Sequence, residues 1–242
     1  DTPGGIVPAM KTVIVGGVAG GMSAATRLRR LDESAEIVVL EKSGYVSFAN
    51  CGLPYFVGGV ITNRDSLLLQ TPASLKARFD LDVRVGSEVI SIDRAAKTVT
   101  VRDLAGDREY TESYDALILA PGAAPFIPPT PGIERALSLR NIADTDAMSA
   151  AVAEVQAAAN PTAVILGGGF IGIELAENLT DRGIKTTIIE LAGQIMAPLD
   201  VEMAALVELI YSPVEPAPSW SDEDIRASRI QHVDPATLSS TP

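Results

Sequence analysis

TAVILGGGFIGIELAENL, residues 162–179, decides the fold of this 242-residue chain. Ala163 to Leu166 reads as an apolar strand, Gly167, Gly169 and Gly172 stand at GxGxxG spacing, and a helix begins near Phe170. A strand turning on glycine into a helix is the first half of a βαβ unit. The first glycine makes the tight turn, the second lets backbone approach a pyrophosphate, and the third lets the helix pack closely on the strand. The helix N-terminus then faces the phosphates. Glu190 ends the next strand, 18 residues after Gly172. Its carboxylate can accept hydrogen bonds from both ribose hydroxyls and would repel a 2′-phosphate, and Leu191-Ala192 offers no basic replacement. The site favours NADH over NADPH.

The same order occurs near the start of the chain. Thr12 to Val15 is an apolar strand, an amphipathic helix runs to about Leu31, and Glu36 to Leu40 is a second strand. Gly16 and Gly21 hold the outer motif positions, but Val18 stands where the middle glycine belongs, with Gly17 and Gly20 beside it. Glu41, followed by Lys42, lies 20 residues beyond Gly21, where it can bind an adenosine ribose. Residues 82–120 carry short β-branched runs that read as an antiparallel meander. Ala120-Pro121-Gly122 then opens a proline-rich crossing from Pro125 to Pro131, which excludes helix and central strand. A helical segment over about Asp144–Ala159 precedes the second unit.

These readings predict an α/β protein with two Rossmann-like dinucleotide-binding units and a small antiparallel β meander in the first. The expected boundaries are 10–122 for the first unit, 123–150 for the crossing, 151–210 for the start of the second unit, and 211–242 for an irregular tail. Residues 1–9 have no basic or apolar leader character and read as an extension before a start at Met10. Two dinucleotides on one chain usually mean hydride transfer from one to the other.

At 47% apolar, with no apolar run long enough to span a bilayer, the chain reads as soluble and cytoplasmic. A formal charge of −12 disfavours nucleic acid and anionic membrane as partners. No metal-ligand spacing is present. The one cysteine, Cys51, rules out an intramolecular disulfide. A lone cysteine is often a small buried hydrophobe, but SFANCGLPY at 47–55 lies shortly after the acidic strand end at Glu41. That context favours a redox thiol working through a mixed disulfide or an oxidised sulfur.

Several segments together resemble a known family. VGGVAGG at 15–21, RLRRLDESAEIVVLEK at 27–42, SFANCGLPY at 47–55, YDALILAPGAAPFIPPTPGI at 114–133, RNIADTDAM at 140–148 and GGGFIGIELAENL at 167–179 are similar to the single-cysteine FAD/NAD(P)-dependent disulfide reductases. Within them, the coenzyme A-disulfide and coenzyme A persulfide reductases are most alike. Phe56 stands where dithiol members carry a second cysteine, and Ala19 where the oxidases and peroxidases carry a histidine.

The resemblance implies a flavoprotein oxidoreductase that passes electrons from NADH through FAD to Cys51, and on to a coenzyme A disulfide or persulfide. It implies FAD contacts from Gly16, Gly17, Val18, Gly20, Gly21, Glu41, Lys42, Asn50, Ala120, Pro121 and Gly122. NAD contacts would come from Gly167, Gly169, Phe170, Ile171, Gly172, Glu174 and Glu190. Arg27, Arg30, Ser47 and Asn50 would contact coenzyme A. Arg27 and Arg30 also fit a solvated helix face, Phe170 simple packing, and Glu174 a first-turn acid favoured by the helix dipole. The family continues beyond this chain through a dimerisation domain, so a homodimer is implied although that domain lies outside the sequence. An NADH oxidase or peroxidase, or a non-catalytic nucleotide-binding fragment, remain the alternatives.

Overall fold

The computed structural model describes residues 9–211 and 231–232. Its strands and helices, in chain order, are β1 (Lys11–Val15), α1 (Ala19–Leu31), β2 (Glu36–Leu40), α2 (Leu53–Val57), α3 (Pro72–Phe79), β3 (Asp82–Arg84), β4 (Ser87–Asp93), β5 (Thr98–Asp103), β6 (Arg108–Ser113), β7 (Ala116–Leu119), α4 (Ile142–Gln156), β8 (Thr162–Leu166), α5 (Phe170–Asp181), β9 (Lys185–Glu190), α6 (Val201–Tyr211) and β10 (Gln231–His232). The fold is mixed α/β, as the sequence predicts. The chain divides into two compact units: residues 1–49 with 65–127, and residues 50–64 with 128–242.

The first unit contains a parallel sheet in the order β3-β2-β1-β7 and an antiparallel sheet in the order β4-β5-β6. The apolar runs of β1 and β2 are covered on both faces, which is why they do not alternate with polar residues. Ile14, Ile37 and Val39 pack with Met22 and Ala25 of α1 and Leu75 of α3. Val13, Val38 and Leu40 face the other way, onto Val99 and Val101 of β5. Burying each of these Val, Ile, Leu and Met side chains contributes about 1.5–3 kcal/mol.

The meander is shorter than the 82–120 expected from sequence. Only β4 to β6 are antiparallel; β3 pairs with β2, and β7 with β1, both in parallel. Their β-branched residues suit either arrangement, so composition alone does not separate them. Helix α3 has no counterpart in the sequence reading. It starts at Thr71, whose side chain accepts from Ser74 N while Ser74 reciprocates, with Pro72 in the first turn.

The second unit builds its sheet from β8, β9 and β10, with β9 parallel to both neighbours. Residues 50–64, expected within the 10–122 segment, group here because α2 packs against α4 and α5. Gln231–His232 is extended, within the tail expected to be irregular; the rest of residues 212–242 lies outside the described residues. Among the described residues no helix is long and apolar enough to cross a membrane.

One ionic network joins both sheets of the first unit. Glu112 on β6, 9% exposed, pairs with Lys11 on β1 at 2.7 Å and with Arg84 on β3. Lys11 also reaches Glu36 at 2.8 Å, and Arg84 reaches Asp82 at 2.5 Å. Burial alone would raise the Glu112 carboxyl pKa, but hydrogen bonds from Lys11 and Arg84 outweigh it and hold the carboxyl below its ordinary value. A depressed carboxylate pKa stabilises the fold above its unfolded value and loses that contribution as pH falls through the folded one. Glu112→Gln will therefore lower stability by about 2 kcal/mol at pH 7 and by much less at pH 3. Urea denaturation of both chains at the two pH values measures the difference.

Candidate functional site

Both glycine turns are built alike. In the first unit Gly16, at φ 101°, donates its amide to Leu40 O at 2.8 Å. A Cβ on Gly16 would lie 2.1 Å from Ala120 O, so the Ala120-Pro121-Gly122 turn closes directly over it. A Cβ on Gly21 would meet Gly16 O at 1.8 Å, and this contact explains the third motif glycine. In the second unit Gly167, at φ 106°, donates to Ile189 O at 2.8 Å, and a Cβ on Gly172 would lie 2.1 Å from Gly167 O.

The acids that end β2 and β9 brace these turns. Glu41, 9% exposed, accepts from Gly17 N at 2.6 Å and from Ser43 N at 2.8 Å. Glu190 accepts from Gly168 N at 2.6 Å and from Ala192 N at 2.7 Å. Each carboxylate has about four acceptor sites, so capacity for ribose hydroxyls remains after both backbone bonds. Lys42 pairs with Glu88 at 2.7 Å.

The residues present fit dinucleotides. Helices α1 and α5 open at Val18 and Gly169, and neither cap carries a side-chain hydrogen bond to the helix amides. Those amides and the helix dipole suit an anion. A Cβ on Gly167 or Gly169 would meet no atom within 4 Å, leaving open space where a pyrophosphate would approach. Phe170 and Ile171 are exposed at the start of α5, and Glu174 follows one turn later, half-buried.

Cys51 is exposed, in a single 3₁₀ turn spanning Asn50–Gly52 immediately before α2. It belongs with the second unit. Within the first unit lies a pocket of about 340 Å³, lined by Val18, Ala19, Met22, Ser23 and Thr26 around α1, by Ser47 and Phe48, and by Leu69, Gln70, Leu75, Arg78 and Phe79 around α3. Ser47, with φ 51°, donates its backbone amide to Gly17 O at 3.0 Å. Arg27 and Arg30 are exposed on α1 and are not part of this lining.

Ser23, Thr26 and Arg78 were not anticipated from sequence. The Thr71-Pro72-x-Ser74 pattern was the available signal for α3 and hence for Arg78, whose guanidinium lies 5.0 Å from the Phe79 ring centroid. Among the described residues no cluster of His, Cys, Asp and Glu could hold a metal ion.

A strand, glycine turn and helix in each unit, each turn braced by an acid at or just past the end of the following strand, define the α/β dinucleotide-binding class. The chain belongs to the pyridine nucleotide-disulphide oxidoreductase family, whose model matches residues 10–212. It is 38% identical over 199 residues to a coenzyme A disulfide reductase of Staphylococcus haemolyticus, covering 81% of this chain and 44% of that protein. Among solved structures, reduced Bacillus anthracis CoADR-RHD is 46% identical with TM-score 0.80, covering 93% of this chain and 38% of that one. An NAD-dependent persulfide reductase from A. fulgidus is 34% identical with TM-score 0.77, covering 93% and 39%. The chain thus spans less than half the length of these relatives.

Gly172 and Gly169 of the second turn should respond differently to substitution. Gly172→Ala, which forces a methyl into Gly167 O, will lower unfolding stability by about 2 kcal/mol or more. Gly169→Ala, at an ordinary φ of −78° and with open space around it, will stay within about 0.5 kcal/mol of the parent. Equilibrium urea denaturation separates the two.

Proposed function

We propose that this chain carries the nucleotide-binding segments and the redox thiol of an FAD-dependent, NADH-consuming oxidoreductase whose substrate is a coenzyme A disulfide or persulfide. The observation that carries the reading is the exposed lone Cys51, placed on a turn ahead of a helix that packs against α5. Helix α5 itself opens from the second glycine turn.

In this reading the first turn, with Glu41 and the Ala120-Pro121-Gly122 closure, holds FAD. Bound there, FAD supplies the transfer of an electron pair between a nicotinamide and a disulfide. The second turn holds NADH, and Glu190 accepts from its ribose while disfavouring a 2′-phosphate. Cys51, as thiolate, attacks one sulfur of a coenzyme A disulfide; the S–S bond breaks, a Cys51–coenzyme A disulfide forms, and coenzyme A leaves as a thiolate that takes up a proton. Two electrons and a proton then return Cys51 to thiolate and release the second coenzyme A thiol.

The lining of the pocket in the first unit has chemistry suited to a phosphate-bearing group. Ser23, Thr26, Ser47 and Gln70 offer hydrogen-bonding groups, and Arg78 adds a guanidinium suited to phosphate. Arg27 and Arg30, exposed on α1, remain candidates for outlying phosphates. Ala19 carries no imidazole, which favours thiol exchange over reduction of oxygen or peroxide. The reading includes a small-molecule partner, a homodimer formed through a domain beyond this chain, and a reducing compartment such as the cytoplasm.

Reconstitution with FAD tests the reading first. The expected result is a bound flavin absorption band that NADH bleaches, with NADPH weaker by tenfold or more, about 1.4 kcal/mol. A chain that gains no flavin spectrum supports the non-catalytic fragment instead. With coenzyme A disulfide, the parent should gain one coenzyme A by intact mass, and Cys51→Ser should gain none; NADH consumption driven by oxygen and indifferent to Cys51→Ser favours an oxidase.

A further inference from the structure

The segment that bears Cys51 is tied into the second unit at three points. Arg182, closing α5, donates from Nη1 to Val57 O at 2.7 Å. Val57 ends α2 and is fully buried, so its carbonyl is one of the helix-end acceptors that α2 cannot satisfy internally. The same guanidinium bonds Gln156 Oε1 at the end of α4, and Gln156 Nε2 donates back to Arg182 O at 2.8 Å. The ends of three helices therefore meet on one arginine fork.

At the second point, Gly58 lies against Asn178. A Cβ on Gly58 would come within 1.9 Å of Asn178 Oδ1, and Asn178, 3% exposed, is held by donating Nδ2 to Glu174 O at 2.7 Å. Farther along, Arg64 makes a two-pronged pair with Asp146 of α4, with both contacts at 2.7 Å. Helix α2 is thus clamped at its C-terminal end, while Cys51 stands two residues before its first residue, Leu53.

We infer that Arg182 is a positioning residue for Cys51: through Val57 and α2 it holds the thiol in the orientation that a bulky disulfide substrate requires. The inference rests on the thiol-exchange reading above. Packing alone would make Arg182 a matter of stability. Orientation adds a further consequence, because Cys51 is already exposed and a small reagent can reach it from many directions, whereas a coenzyme A disulfide must approach with its S–S axis in line with the attacking sulfur.

The test compares two reactions of the same thiol in the full chain. Arg182→Ala should slow uptake of coenzyme A from coenzyme A disulfide by about tenfold, within the hundredfold that an ångström of misplacement costs, while iodoacetamide alkylation of Cys51 changes less than about threefold. Arg182→Lys, which keeps one donor for Val57 O, should return uptake to within about threefold of the parent. Far-UV circular dichroism checks the fold. Should Arg182→Ala not fold, Arg182→Met, which keeps the aliphatic stem and removes every donor to Val57 O, carries the test by the same ratio of rates. A parent chain that alkylates but takes up no coenzyme A overturns the thiol-exchange reading and this one with it. A parent that takes up coenzyme A, with the variant equally fast or slowed equally toward both reagents, overturns the positioning role alone.

Discussion

In each unit a carboxylate at the end of a strand accepts the amide of the residue after the first motif glycine. Glu41 does so for Gly17 and Glu190 for Gly168, both at 2.6 Å. This one bond joins the second strand of each unit to the turn between its first strand and helix, so the strand pairing and the shape of the turn depend on each other. Without it, a turn of consecutive glycines would carry a large conformational entropy and would not present its amides in one geometry. In the proposed reading the same charge also accepts from the ribose.

Around that bond the first unit places its other parts by burial. β1 and β2 are apolar on both faces because α1 and α3 cover one side and the meander covers the other. The ionic network of Lys11, Arg84 and Glu112 links the parallel sheet to β6. In the second unit the corresponding tie is the arginine fork at the ends of α2, α4 and α5, which brings the cysteine-bearing segment onto the helix of the nucleotide turn.

Much of this was legible in the chain itself. Strand, glycine spacing, helix and acid follow one another within each unit, so local pattern identified Gly16, Gly21 and Glu41, and Gly167, Gly172 and Glu190, before any tertiary contact was known. The β3 and β7 segments are indistinguishable from the meander in sequence because parallel and antiparallel pairing of β-branched strands leave the same composition. Helix α3 is short, and its eight residues carry little periodicity, so its cap was the only signal. Arg78 went unnoticed with it.

The sequence by itself determined the two nucleotide turns, their acids and the single thiol, because those features depend on backbone conformation and side-chain chemistry over at most some 30 consecutive residues. Only the tertiary structure decided which unit holds Cys51, which side chains line the α1–α3 pocket, and that Arg182 meets Val57 across 125 residues of chain. Contacts of that separation are set by how the helices pack on one another. They leave no periodic trace in the sequence that could be read beforehand.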